Sequence, residues 1–122
     1  MLDFGKTDWV TYMPAYGGNR ESDTPMTVEI HPLSFGETAK YTDAVHVKQR
    51  ARGHMETNTS KVMRRQIVEN VRNPQNVIGI SGNRVETSAQ LHDDTPTDLV
   101  KEIINAIEDI SILSEGEVKN SD

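Results

Sequence analysis

The spacing of apolar positions changes several times along the chain, and each change marks an element. Trp9-Val10-Thr11-Tyr12-Met13 is rich in strand formers. Met26-Thr27-Val28-Glu29-Ile30 alternates apolar and polar residues, as a half-buried strand does. Pro14 and Gly17-Gly18-Asn19 interrupt the chain between them, which predicts a loose hairpin closed by the polar loop from Ala15 to Pro25. Pro32 ends the second strand. Ser34-Phe35-Gly36-Glu37 is a capping box, whose two side chains satisfy two otherwise unpaired helix N–H groups. It predicts a helix from about Phe35 to Arg50, with a thin apolar stripe of Tyr41, Ala44, Val45 and Val47, broken at Ala51-Arg52-Gly53-His54.

A second helix is expected from near Thr57 to Ser60 as far as Arg72, because Val62, Met63, Ile67 and Val71 recur at three-to-four spacing. Asn73-Pro74 should stop it, since the residue before a proline avoids helical backbone angles. Asn76-Val77-Ile78-Gly79-Ile80 reads as a short third strand or an extended run, closed by Gly82-Asn83. Thr87-Ser88-Ala89-Gln90 is a second capping box and opens a short helix through Leu91. Thr95-Pro96-Thr97-Asp98 is a strong helix start: Thr95 as cap, Pro96 at the first helical position, Asp98 at the positive helix end. Leu99, Val100, Ile103, Ile104, Ile107 and Ile110 then form the broadest apolar stripe, before a turn at Ser114-Glu115-Gly116 and a polar tail. The pattern as a whole predicts an α+β fold, predominantly helical: an N-terminal β-hairpin followed by about four helices and one short extra strand. The chain reads as a single domain over residues 1–122, with flexible ends at 1–8 and 115–122.

Composition narrows the chemistry. A chain of 122 residues with 34% hydrophobic residues supports one modest core. There is no cysteine, so disulfides, thiolate nucleophiles and Cys-based zinc sites are excluded. The first residues lack the basic-then-apolar pattern of a signal peptide, and no apolar run approaches the roughly 18 residues that span a membrane. A cytoplasmic location and no membrane partner are therefore expected. The four histidines, His31, His46, His54 and His92, never fall at metal-binding spacing. His92-Asp93-Asp94 is a local cluster best read as a solvated loop. Gly79-Ile80-Ser81-Gly82 lacks the G-x-S-x-G spacing of a nucleophile elbow, and no phosphate-binding loop is present. No catalytic residue, metal or cofactor is expected, and the chain does not read as an enzyme.

The net charge of −6 is unevenly placed: residues 46–85 carry eight basic and two acidic groups, between two acidic ends. Lys48, Arg50, Arg52, Arg64 and Arg65 are the nucleic-acid candidates, but they lack interleaved aromatics, and the reading disfavours nucleic acid as a partner. Protein binding fits better. Trp9 and Tyr12 belong to an aromatic cluster with Tyr16, a composition suited to interfaces and to small cores alike. The stripe Leu99, Ile103, Ile107 and Ile110 is wide enough to receive an apolar helix, although most such stripes face the interior.

The order of features then resembles the tail assembly chaperones of long-tailed bacteriophages. The likeness is carried by the opening strand with its Pro-Ala-Tyr-Gly-Gly-Asn-Arg loop, residues 14–20, and by Pro25 to Ser34 with the helix after it. It continues in the Ser-Ala-Gln-Leu helix, in Pro96-Thr97-Asp98-Leu99-Val100, and in the run from Asn105 to Asn120. The resemblance implies a protein that coats the tape-measure protein, keeps it soluble, helps recruit tail tube subunits and then leaves. Homo-oligomers are compatible with it. The sequence leaves two alternatives standing: a structural virion component of the tail or connector, and a small nucleic-acid-binding regulator using residues 46–72.

Overall fold

The structure is a computed structural model, and it describes residues 9–34, 36–41 and 55–120. Strand β1 (Val10–Tyr12) is followed by a 3-10 helix (Tyr16–Glu21) and strand β2 (Thr27–Ile30). Helix α1 covers residues 36–41, helix α2 Met55–Asn70 and strand β3 Val71–Gln75. Helices α3 (Ser88–Asp93) and α4 (Thr97–Asn120) complete the chain. The fold is thus a helix-rich α+β arrangement around a three-stranded antiparallel sheet of order β1-β2-β3.

The hairpin forms as its alternation requires, with Val10 opposite Ile30 and Tyr12 opposite Val28. Because side chains alternate across a strand, Val28 and Ile30 enter the core, while Thr11, Glu29 and Arg72 line the opposite face. The connecting loop is tied by Asn19. Its Nδ2 donates to the carbonyls of Pro14 and Met26, and its Oδ1 accepts from the Met26 N–H. Gly17 and Gly18 both have positive φ, at 60° and 73°, conformations that glycine adopts without steric cost.

Both capping boxes are built. Ser34 and Glu37 exchange bonds at 3.1 Å in each direction, and Thr87 and Gln90 do the same at the start of α3. Of the helix expected from Phe35 to Arg50, residues 42–50 lie outside the described residues, as do the break at Ala51–His54 and the N-terminal end, 1–8.

Three expectations are corrected. Helix α2 ends at Asn70, and Val71, which keeps the helical spacing, begins β3 instead. The extra strand is therefore Val71–Gln75 and not Asn76–Ile80, which contributes only the isolated bridge between Ile78 and Arg84. Pro74 is tolerated because β3 lies at the sheet edge. Three steps along β3 match two along β2 between the pairs Glu29–Arg72 and Thr27–Gln75, and Asn73 absorbs the extra residue at a φ of 56°. The second correction concerns Thr95. Its hydroxyl donates to the Leu91 carbonyl at the end of α3, while the Pro96 carbonyl accepts the first α4 N–H bonds, from Leu99 and Val100. Third, α4 runs through Ser114-Glu115-Gly116 to Asn120 without a turn. A glycine inside a helix costs only about 1 kcal/mol, less than a chain of helix formers recovers by propagation.

The core gathers Val28 and Ile30 from β2, Ile67 from α2, Val71 from β3, Leu91 from α3 and the stripe of α4, all nearly inaccessible to solvent. Residues far apart in sequence close it. The Ser111 hydroxyl donates to the Ile107 carbonyl and accepts the Leu33 N–H, each at 2.7 Å, which joins the end of the hairpin to α4.

Candidate functional site

The α4 stripe fills the core and does not face outward. Leu99, Ile103 and Ile107 are buried and Ile110 is partly buried against the same cluster, so the stripe offers no open face to a partner. The apolar width that suggested an interface is the width needed to cover sheet and helices at once. Trp9 lies on the outer face of the sheet, with the Arg72 guanidinium 4.2 Å from its ring centroid and the His31 ring 5.2 Å away. Tyr12 is held internally, its hydroxyl donating to Glu102 Oε2 at 2.6 Å.

Glu102 organises the adjoining loop. Besides Tyr12, it accepts the backbone N–H groups of Ala15 at 2.8 Å and Tyr16 at 3.0 Å, so one carboxylate fixes where the chain leaves β1. Burial, and then the bond to Glu102, push the Tyr12 hydroxyl up to about 12. A second tyrosine is placed alike: Tyr41 donates to Glu69 Oε2 at 2.6 Å and accepts from Asn70 Nδ2, and burial again raises it to about 12.

The loop pinned by Glu102 forms one side of a shallow groove of about 260 Å³. Pro14 and Tyr16 come from the hairpin loop, Met26 from the start of β2, Val77 and Ile78 from the segment after β3, and Leu99 from α4. Ile78 is 71% exposed and Ile80, two residues on, 75%; Tyr16 remains 42% exposed. Apolar surface is thus open beside the groove.

A clamp on Asp94 holds these isoleucines outward. The Asp94 carbonyl accepts the Ile80 N–H at 2.8 Å, and its carboxylate accepts the N–H and hydroxyl of Ser81. Gly82 turns the chain at a φ of 90° and donates to the Gly79 carbonyl. The serine between glycines is thus a structural fastener for a turn. The neighbouring carboxylate of Asp93 is occupied too, by a two-point bond from Arg64 and by His92 Nδ1 at 2.8 Å. The bonds from Arg64, and next from His92, hold Asp93 below its usual carboxylate range. Among the described residues, no group of three or more His, Asp or Glu is gathered as a metal site would require, and no helix is long and apolar enough to cross a membrane.

Three arginines of the basic middle are paired with carboxylates. Arg64 meets Asp93, Arg65 meets Glu69 at 2.7 Å, and Arg72 meets Glu29 at 3.2 Å. These pairs spend the charge that would otherwise meet phosphates; Lys48, Arg50 and Arg52 lie outside the described residues. Sequence reasoning took Ile78 and Ile80 for strand residues, and the signal it passed over was a run of three branched apolar residues flanked by turn formers on both sides. No protein-family model, no curated protein and no solved structure matches the chain.

Proposed function

We propose that this chain is a tail assembly chaperone of a long-tailed bacteriophage, acting in the host cytoplasm. It would bind the tape-measure protein, keep it soluble, help recruit tail tube subunits and be absent from the finished particle. The order of motifs from Trp9 to Asn120 suggests the family. The observation that carries a binding role is the open groove lined by the exposed Tyr16 and Ile78, with Ile80 exposed two residues further along the chain. A chaperone for apolar helices needs such a surface. The internal pairing of Arg64, Arg65 and Arg72 counts against a regulator that binds DNA through this segment.

Co-expression with a tape-measure protein of the same source tests the reading. The tape-measure protein should stay soluble and co-purify with this chain. If the two never associate while each is folded, the proposal fails. It also fails if the chain is found at stoichiometric levels in mature particles, which would mark a virion component.

A further inference from the structure

We infer that the groove over Met26 and Leu99, with Ile78 in its lining, is the docking site for a large apolar side chain of a partner polypeptide. The inference rests on the chaperone reading for the partner's identity, and adds where that partner is held. Three observations select the occupant.

Much of the polar lining is already committed. Asn19 spends both its amide atoms within the hairpin, Asn76 Nδ2 donates to the Pro25 carbonyl, and the Thr95 hydroxyl donates to Leu91. Val77 and Ile78 carry the open apolar surface of the groove, over a floor of Pro14, Met26 and Leu99 that is itself largely buried. A polar metabolite would lose water there and gain little in exchange. Size points the same way. A volume of about 260 Å³ falls below the range of roughly 300–1,000 Å³ for sites that enclose a whole small molecule. It suits a leucine or aromatic side chain presented from a larger body.

Area argues against a second copy of this chain. From the exposed fractions of Tyr16, Ile78 and Ile80, the open apolar area is on the order of 350 Å². A stable dimer buries about 800 Å² on each partner. The patch is too small to hold two copies together, and large enough to anchor a segment that has further contacts elsewhere.

The test titrates the isotope-labelled full chain with a leucine-faced amphipathic helical peptide, and with the same peptide carrying serine at those leucines. Amide shifts should concentrate at Tyr16, Val77 to Ile80 and Thr95 to Leu99 with the leucine peptide and be absent with the serine peptide. Ile78→Asp should weaken binding on the order of tenfold or more. Val68→Asp, at an exposed apolar position on α2 outside the groove, should leave it unchanged. Because Ile78 is mostly exposed, its substitution spares the core, which a thermal melt verifies. Shifts mapping elsewhere, or equal binding by Ile78→Asp, would overturn the inference. So would a dimer in sedimentation equilibrium that Ile78→Asp dissolves, since the occupant would then be a second copy. Capture of the tape-measure protein by the same variants separates the two claims. Capture insensitive to Ile78→Asp refutes the site and leaves the chaperone reading standing. Peptide binding in the groove without capture refutes the chaperone reading and leaves the site standing.

Discussion

Replacing Gly79 by alanine isolates the energetics of the Asp94 clamp. The objection to a side chain at this position is space, not backbone angle. A Cβ on Gly79 would lie 2.0 Å from Asp94 Oδ2, 2.5 Å from its Cγ and 2.8 Å from its backbone carbonyl oxygen. The carboxylate could swing away only by releasing the Ser81 N–H and hydroxyl, and the carbonyl could withdraw only by releasing the Ile80 N–H. Losing these three bonds at about 1 kcal/mol each gives an expected destabilisation of about 2–4 kcal/mol. That is a large part of the ~5–15 kcal/mol that holds an ordinary domain. The control is Gly82→Ala. Its Cβ would meet nothing within 4 Å, so only the cost of a positive φ remains, about 1 kcal/mol. Urea denaturation followed by circular dichroism measures both, with unchanged m-values showing that only stability has moved. In an Asp94→Ala background the two shortest contacts vanish, so Gly79→Ala should cost clearly less there. A Gly79→Ala variant within about 0.5 kcal/mol of wild type would refute the clamp as described.

Other consequences can be checked as directly. Tyr12 and Tyr41, both raised from 10.0 to about 12, bind their protons more tightly when folded, so their stabilisation is complete below about pH 10 and is lost as pH rises toward 12. Alkaline denaturation should flatten in Tyr41→Phe, and ultraviolet titration of Glu102→Gln should show Tyr12 ionising earlier, though not at its free value, because burial is the larger cause. Glu29, Glu69 and Asp93 are depressed instead, chiefly by bonds from Asn73, Tyr41 and Arg64 respectively. Their contribution is present above their ordinary values of 4.5 and 3.8 and is lost as pH falls below them, which acid titration of the melting temperature should follow. Arg64→Ala should cost little, and less still in high salt, because both partners of its ion pair are half exposed. Ile103→Ala should cost about 3–4 kcal/mol by denaturant titration, since that side chain is completely buried.

Local chemistry was readable in the sequence wherever it decides structure alone. Ser34 with Glu37 and Thr87 with Gln90 announce helix starts because both partners of each bond lie three residues apart. The alternation from Met26 to Ile30 announces a half-buried strand for the same reason. Val71 misled because its spacing from Ile67 fits a helix, and only pairing with β2, some forty residues earlier, makes it a strand residue. Thr95 misled because α4 begins one residue later than the sequence implies, so that Pro96 holds the cap position and the Thr95 hydroxyl is left to donate back to Leu91. The groove was out of reach altogether. Its residues come from four separate stretches, and Ile78 and Ile80 look like any buried strand until Asp94, more than ten positions later, is seen to turn them outward.

The bonds from Tyr12 to Glu102 and from Leu33 to Ser111 also have a consequence for the order in which the protein is made. A ribosome delivers β1, the 3-10 helix and β2 long before α4 exists. Until then Tyr12 has no carboxylate to reach, the Tyr16 segment has no anchor and the Leu33 N–H has no Ser111. Closure over such separations is slow compared with helix formation. The groove acquires its Leu99 wall only after the hairpin loop, β2 and the segment beyond β3 have all been made, so a nascent chain cannot engage a partner through it before Leu99 has been delivered.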